Sequence, residues 1–415
     1  MTSYNPNESG VQGKIGFFVS LIYFKDDVRR FIIDLSHHYD IVLFVLDVHE
    51  ASEFQVPKDI EVRTIRQNPS MKDRLLKSMF SIFGKIPKSQ KNYYLMEAFK
   101  AQAHKKNHIR TRIILWLKSV LPKILSYDLF LDLLDDSSVC DLEDICATVF
   151  FTNICSDWAL KQVLAQRINT ICYVYSWDHA TKHQKFSKRV KYAVWSDEIG
   201  NDLCELQGIE RSHIATLGAS QFCFIATYFH IKNLGNLPET KLITDAPYVY
   251  FGCAVGISSL VDEEVMIIKI IAEVLLEIAP SYKLLVRPYP VLAEWSPYNE
   301  LKEIPNILLE SEFRTIDLAP YNDSFFLKYH TLDNAKAFFH CGTTLGLEAA
   351  FFETPSFLVD LSAPSDKDVS MCNFVNQYQN VKYLKEINSD NVISSTEKLK
   401  DIILDLVNNQ EAYLS

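Results

Sequence analysis

Between Ala337 and Leu361 the chain reads AFFHCGTTLGLEAAFFETPSFLVDL, and this stretch limits the possible folds more than any other. The apolar run Ala337–Phe339 enters a Cys-Gly-Thr-Thr turn. A helix is expected next, with Leu345, Leu347, Ala349 and Phe352 as its apolar residues. Pro355 stops it, and Ser356–Val359 is the following strand. Strand, tight turn, helix and strand in so few residues is the unit of a parallel α/β sheet. A hydroxyl-rich turn opening a helix is also suited to phosphate, because free backbone N–H groups and the helix dipole point at the ligand. Thr344 and Glu348 are four apart and share a helix face at about 6 Å. Thr343 and Thr344 then meet a phosphate while Glu348 accepts from a ribose hydroxyl.

Two earlier pieces support this. The run LLVRPYP, Leu284–Pro290, is a buried strand ending in an arginine, at the edge where open α/β sheets bind ligands. Arg287 offers a planar fork suited to phosphate. Further back, Val249–Ser259 is a strand that passes through Gly252 into a Gly- and Ser-containing loop, and a long helix follows, Val261–Ala279. A Gly-Thr-Thr turn alone is commonly only an N-cap, and an arginine after a strand is commonly a surface ion pair. Three strand ends carrying a small loop, a cation and a hydroxyl turn, in that order, point to a nucleotide.

The order strand-Gly loop, Val-Arg-Pro-x-Pro, then Gly-Thr-Thr-x-x-x-Glu-Ala resembles the nucleotide-binding half of GT-B glycosyltransferases. The resembling branch is that of bacterial surface-polysaccharide and lipopolysaccharide transferases, related to polyol-phosphate and Kdo transferases. A second block, Tyr175–Phe222, supports it through Ser176-Trp177-Asp178, Trp195, Gly208-Ile209 and Leu217-Gly218-Ala219-Ser220-Gln221-Phe222. Tyr289 stands where many relatives have His, and His179 where Asn is usual. The resemblance covers well under half of the chain. It implies an α/β protein of the GT-B class, with two facing Rossmann-like, doubly wound domains. It also implies a nucleotide-sugar co-substrate, a lipid-linked or polysaccharide acceptor and no further cofactor. Asp47 and the cluster Asp132, Asp135 and Asp136 apart, no D-x-D motif stands at a strand end, so a site without metal is expected. A non-hydrolysing nucleotide-sugar epimerase shares the fold and is the rival enzyme. A non-catalytic nucleotide-binding scaffold is the non-enzyme alternative.

The expected boundaries are 1–230 for an acceptor-side domain, 245–395 for the nucleotide-sugar domain, and 396–415 for a helix crossing back to the first. In the first half, strands are expected at Lys14–Phe24, Ile41–Asp47, Val62–Ile65, Tyr127–Leu134, Ala147–Thr152, Thr170–Tyr175, Tyr192–Trp195 and His213–Leu217. Helices are expected at Asp26–Tyr39, Asp157–Arg167 and Glu198–Leu206. An inverting transfer needs a carboxylate or His near the acceptor hydroxyl. Asp178, Asp157 and Asp27 each follow a strand and are the candidates, with His179 and His183 beside Asp178. Asp157 begins a helix and is equally a cap.

Charge is informative once located. The chain is net −10, yet Val62–Leu125 holds fifteen Lys and Arg against Asp73 and Glu97. Within it, Arg110–Leu125 mixes cations with Ile113, Ile114, Trp116, Leu117, Val120 and Leu121. That pattern suits an interfacial helix on anionic lipid. Lys105, Lys106, Arg110, Arg112 and Trp116 are the candidate membrane or acceptor contacts. No recognised nucleic-acid motif accompanies the charge, so nucleic acid is not expected as a partner. No apolar run approaches the roughly 20 residues of a membrane span. The polar start is unlike a signal peptide, and the nine cysteines, with no Cys-x-x-Cys pair, read as reduced core residues. A cytoplasmic protein, peripheral on the inner membrane face, is the expectation.

Overall fold

The computed structural model describes residues 13–20, 26–49, 54, 56–88, 90–103, 113, 116–135, 138–152, 154–235, 244–254, 258–289, 296–310, 324–362, 370–387 and 389–408. The chain divides into two compact units. The first is built from the residues up to Gln90 and from Trp116 to Gln221; the second takes Lys91–Leu115 and most of the chain from Phe222 on. Each is a doubly wound α/β sheet, as expected.

The first unit carries β1 (Lys14–Phe18), β2 (Ile41–Leu46), β3 (Glu61–Gln67), β4 (Ser138–Val139), β5 (Ile145–Phe151), β6 (Asn169–Tyr173), β7 (Lys191–Val194) and β8 (Ile214–Thr216). Their order is β4-β3-β2-β1-β5-β6-β7-β8. All pairs are parallel except β3 with the short β4. Strands such as β2, IVLFVL, are apolar throughout because helices cover both faces. The order reverses between β1 and β5, which puts a topological switch point there.

The second unit carries β9 (Tyr248–Gly252), β10 (Lys283–Arg287), β11 (Ile307–Leu309), β12 (Ala337–His340), β13 (Ser356–Val359) and β14 (Val392–Ile393). Their order is β11-β10-β9-β12-β13-β14, parallel throughout. Here the chain first winds away through β10 and β11, then returns to the other side of β9. The switch point lies between β9 and β12.

Several expectations are corrected. Tyr127–Leu133 is a helix, not a strand. Tyr127, Phe130 and Leu131 are its buried residues, a helical spacing, and Ser126 Oγ accepts from Leu129 N–H as its cap. The helix Gln90–Ala103 passes into the second unit, where Leu95, Met96 and Ala98 pack against the core. Asn92 Nδ2 donates there to Asn380 Oδ1 at 3.2 Å, and Gln379 N–H donates to Asn92 Oδ1 at 2.6 Å. The second unit also begins earlier than residue 245. The helix Cys223–Asn233 buries Phe224, Ile225 and Tyr228 against Tyr329, Phe338 and Phe352. The last described helix is Thr396–Asn408. Leu399, Ile402, Ile403 and Leu406 join the core of the second unit with the helix Ser258–Ile278, and Lys400 pairs with Glu277 at 2.8 Å. The first strand ends at Phe18.

Candidate functional site

Gly252, Arg287 and His340 are register partners at the carboxyl ends of β9, β10 and β12. They stand at the switch point of the second sheet, where doubly wound folds bind ligands. The Cys-Gly-Thr-Thr turn leaves β12 directly above them.

The turn is shaped from below by His340. Its imidazole is buried and stacks on Phe338, ring centroids 5.5 Å apart. Nδ1 accepts the Gly342 N–H at 3.0 Å, which puts the ring proton on Nε2. Burial pushes the imidazole pKa down to about 4, so the ring is neutral at ordinary pH. Gly342 adopts φ +112°, and a Cβ there would lie 2.6 Å from Val381. Only glycine meets both demands. Gly346 is required by closeness alone, since a Cβ would meet His340 Nε2 at 2.5 Å.

What the turn leaves unspent matters most. Gly342 N–H is used by His340, and Leu345 N–H reaches Thr343 Oγ1 at 3.4 Å. The carbonyls of Thr343 and Thr344 take the N–H groups of Gly346, Leu347 and Glu348. The N–H groups of Thr343 and Thr344 have no partner among the described residues. Thr344 occupies the N-cap position without a side-chain cap bond. Thr344 is thus not spent as a capping hydroxyl. Two consecutive N–H donors and a hydroxyl remain at the mouth of the turn.

Gly252 serves packing. A Cβ there would meet the Phe338 ring at 2.5 Å and Thr343 Cγ2 at 3.3 Å. Arg287 is less open than a free phosphate fork. Its Nη1 pairs with Glu310 Oε1 at 2.5 Å and donates to Tyr250 Oη at 3.4 Å, while the Tyr250 hydroxyl donates to Glu310 Oε2 at 2.9 Å. Nε and Nη2 have no partner among the described residues. Glu348 is buried, and Lys328 Nζ donates to its Oε2.

Sequence reasoning did not single out three residues of this unit. Glu310 follows β11 and Lys328 lies in the helix Ser324–Asn334, each twenty or more residues from its partner, so no local spacing announces them. Glu264, in the helix Ser258–Ile278, is fully buried beneath the loop after β9. Its Oε1 accepts Ala254 N–H at 2.8 Å and its Oε2 accepts the Tyr298 hydroxyl at 3.0 Å. Burial raises its pKa to about 7.

In the first unit, Asp27, Asp157 and Asp178 follow β1, β5 and β6, so all three lie at carboxyl ends. Each is buried and engaged. Asp27 accepts from the Tyr175 hydroxyl at 3.2 Å and the Ser220 hydroxyl at 2.6 Å, tying the start of the first helix to the Leu217–Phe222 block. Asp157 takes Tyr127 Oη at 2.8 Å and Lys185 Nζ at 2.8 and 2.9 Å. Asp178 takes Ser176 Oγ at 2.8 Å and Lys182 Nζ at 2.7 Å. Burial works against its charge, but Lys182, His179 and the two bonds outweigh it. The carboxyl is held well below the usual carboxylate range. His179 Nδ1 bonds Thr152 Oγ1, and its ring meets that of His183 edge-on at 4.6 Å.

Lys105, Lys106, Arg110 and Arg112 lie outside the described residues. Trp116 is 61% exposed, and Val120 and Ile124 are exposed beside it. A second apolar stripe, Met71, Leu75 and Met79, lies open along the helix Met71–Phe83. Lys123 Nζ donates to the Ile82 carbonyl at 2.6 Å and Leu125 N–H to that of Phe83 at 3.0 Å, so the two segments are joined. No described helix is long and apolar enough to cross a membrane.

Solved structures share this architecture. The UDP-GlcNAc 2-epimerase of Neisseria meningitidis, bound to UDP-GlcNAc, is 10% identical, with a TM-score of 0.50 over 96% of this chain and 92% of that one. The 2-epimerase of Methanocaldococcus jannaschii is 12% identical, with a TM-score of 0.46 over 96% and 92%. WaaG, a glycosyltransferase involved in lipopolysaccharide biosynthesis, is 11% identical, with a TM-score of 0.42 over 96% and 93%. The likeness shows the fold: two doubly wound Rossmann-like units of the GT-B type. No family model matches the sequence, and no curated protein matches it either.

Proposed function

We propose that the protein is a GT-B glycosyltransferase that takes a sugar from a nucleotide-activated donor and adds it to a bacterial surface glycan, lipopolysaccharide or capsule. The observation that carries the donor reading is the pair of unspent N–H groups at Thr343 and Thr344, one turn before a buried carboxylate, at the switch point of the second sheet. The two N–H groups and the Thr344 hydroxyl receive the donor phosphate. Nε and Nη2 of Arg287 add charge-assisted donors, and Glu348 accepts from the ribose. As the glycosidic bond breaks, negative charge grows on the leaving phosphate. Donors already fixed in place stabilise it without reorganising. Polyol-phosphate and Kdo transferases would use the same donor contacts.

On the acceptor side, Asp178 is the favoured carboxylate, with Asp157 and Asp27 behind it. Lys182 and Ser176 hold Asp178 ionised. That suits holding a cation or a hydroxyl better than taking up a proton near neutral pH, where a base is most effective. The exposed apolar stripes amid an excess of Lys and Arg favour an anionic membrane surface and a lipid-linked acceptor. A peripheral position on the cytoplasmic face follows from that reading.

The likeness to the Neisseria enzyme favours a second reading, nucleotide-sugar epimerisation. One experiment separates the two. The protein is titrated with UDP-, GDP-, CDP- and CMP-sugars by thermal shift, and each binder is incubated with and without lipid-linked acceptor. Nucleotide release only with acceptor is the expected result. A C2 epimer formed without acceptor would establish the second reading, and a melting curve that no nucleotide or nucleotide sugar moves would sink both.

A further inference from the structure

Tyr250 stands in β9 opposite Leu285 of β10, which in turn faces Leu308 of β11. Arg287 and Glu310 each lie two residues further on, so they share the sheet face of Tyr250. The Tyr250 ring is fully buried and meets the Phe338 ring at 5.5 Å, which fixes the phenol in place. Its hydroxyl donates to Glu310 Oε2 at 2.9 Å and accepts from Arg287 Nη1 at 3.4 Å. Nη1 also donates to Glu310 Oε1 at 2.5 Å. A carboxylate beside a guanidinium commonly binds two of its nitrogens in a fork. Glu310 binds only Nη1. The phenol holds Oε2, the oxygen that would otherwise reach Nη2. Nε and Nη2 keep their N–H groups, on a side chain that is 14% exposed beside a carboxylate that is 1% exposed.

We infer that Tyr250 is a positioning residue: it keeps Arg287 from closing onto Glu310 and so reserves the Nε–Nη2 edge for a phosphate of the bound nucleotide. The inference rests on the nucleotide reading above. A phosphate takes a guanidinium through two parallel N–H···O bonds, as a carboxylate does, so the two anions compete for the same donors. Glu310 belongs to the same sheet and is always present. Without the phenol, a second arm of the guanidinium is spent before any ligand arrives. Glu310 is still needed, because an uncompensated charge so far removed from water is costly. The three groups divide the work. Glu310 balances the charge, Arg287 carries the open donors, and Tyr250 limits the pairing to one arm.

The test uses calorimetry on the full chain. The probes are inorganic pyrophosphate and whichever of UDP, GDP, CDP and ADP binds. Tyr250→Phe should weaken both by about five-fold, the loss of one hydrogen bond of the pair. Adding Glu310→Gln to that variant should restore most of the affinity. An amide presents one oxygen and one nitrogen donor, so it accepts from a single arm and cannot close the fork. If that double variant does not fold, Tyr250→Phe with Glu310→Met, which removes both acceptors, should restore affinity in the same way. Unchanged affinity in Tyr250→Phe would overturn the role of the phenol. A loss that neither second change recovers would make Tyr250 a packing residue. A wild type that binds pyrophosphate but no nucleotide would overturn the nucleotide reading alone, and the same variants then decide the role of Tyr250 on pyrophosphate. A wild type that binds neither would overturn both.

Discussion

Glu264 offers a direct test of how the loop above β9 is held. The carboxyl is fully buried, bonded to Ala254 N–H and the Tyr298 hydroxyl, with Cys253 and Cys341 as neighbouring titratable groups. Burial lifts its pKa from 4.5 to about 7. The folded state therefore holds this proton more tightly than the unfolded chain. The stability it contributes is fully present below pH 4.5, declines as pH rises, and is gone above pH 7. At about 1.4 kcal/mol per pH unit, the loss across that window is about 3 kcal/mol. Glu264→Gln mimics the protonated acid. The amide oxygen accepts from Ala254, and the amide nitrogen donates to Tyr298 Oη. The variant is expected to match the wild type near pH 5 and to exceed it by up to about 3 kcal/mol at pH 8. Hydrogen exchange of β9 and β10 amides, at pH 5 to 8 and corrected for intrinsic rates, reports the second unit without requiring both units to melt together. A difference that stays constant with pH would refute the raised pKa. A variant that loses stability only at pH 8 would reverse the sign, and would mean the loop needs the charge.

Arg287→Ala strands the Glu310 carboxylate, which is 1% exposed, and is expected to cost about 3–5 kcal/mol in urea unfolding. The double change Arg287→Met with Glu310→Gln should restore the fold yet weaken nucleotide binding about ten-fold by calorimetry, and unaltered affinity would remove Arg287 from the phosphate site. Gly346→Ala forces a methyl against the His340 ring, so about 1–3 kcal/mol of stability should be lost along with nucleotide affinity, and an unchanged melting temperature would mean the ring has room to move. Binding to anionic but not zwitterionic vesicles is expected to weaken as salt shortens the Debye length to about 3 Å at 1 M. Replacing Met71, Leu75, Trp116 and Val120 by Ser, or Lys105, Lys106, Arg110 and Arg112 by Glu, should release the protein in co-sedimentation, and retention regardless of lipid charge would assign the patch to another partner.

The parallel sheets were legible because a buried strand writes itself as an apolar run. Ile41–Leu46, Tyr248–Gly252 and Ala337–His340 all do so. Tyr127–Leu133 misled for the same reason: a short, apolar, aromatic stretch satisfies strand and helix alike, and the Ser126 cap decides it. The edge strands β4 and β14 are two residues each, too short to leave a period. Which unit owns a segment is harder still to read. Gln90–Ala103 carries Lys91 and Lys100 against Glu97, like its basic neighbours in sequence, and distant contacts such as Asn92–Asn380, across 288 positions, reveal where it packs.

The site follows the same division between local and distant information. The turn was readable because backbone chemistry depends on neighbours: Gly342, Thr343 and Thr344 fix the φ and the donors among themselves. The charged groups were only half readable, because a charge takes its meaning from its partner. Arg287 in sequence is a fork waiting for phosphate; in the fold one arm is already given to Glu310. Asp178 in sequence is a candidate base; in the fold Lys182 and Ser176 hold it ionised. In each case the residue type names the chemistry, and the partner decides whether that chemistry is still available to a ligand. Glu348 in sequence is a ribose acceptor; in the fold one of its oxygens is already taken by Lys328. Lys328 lies twenty residues before Glu348 and has no motif of its own.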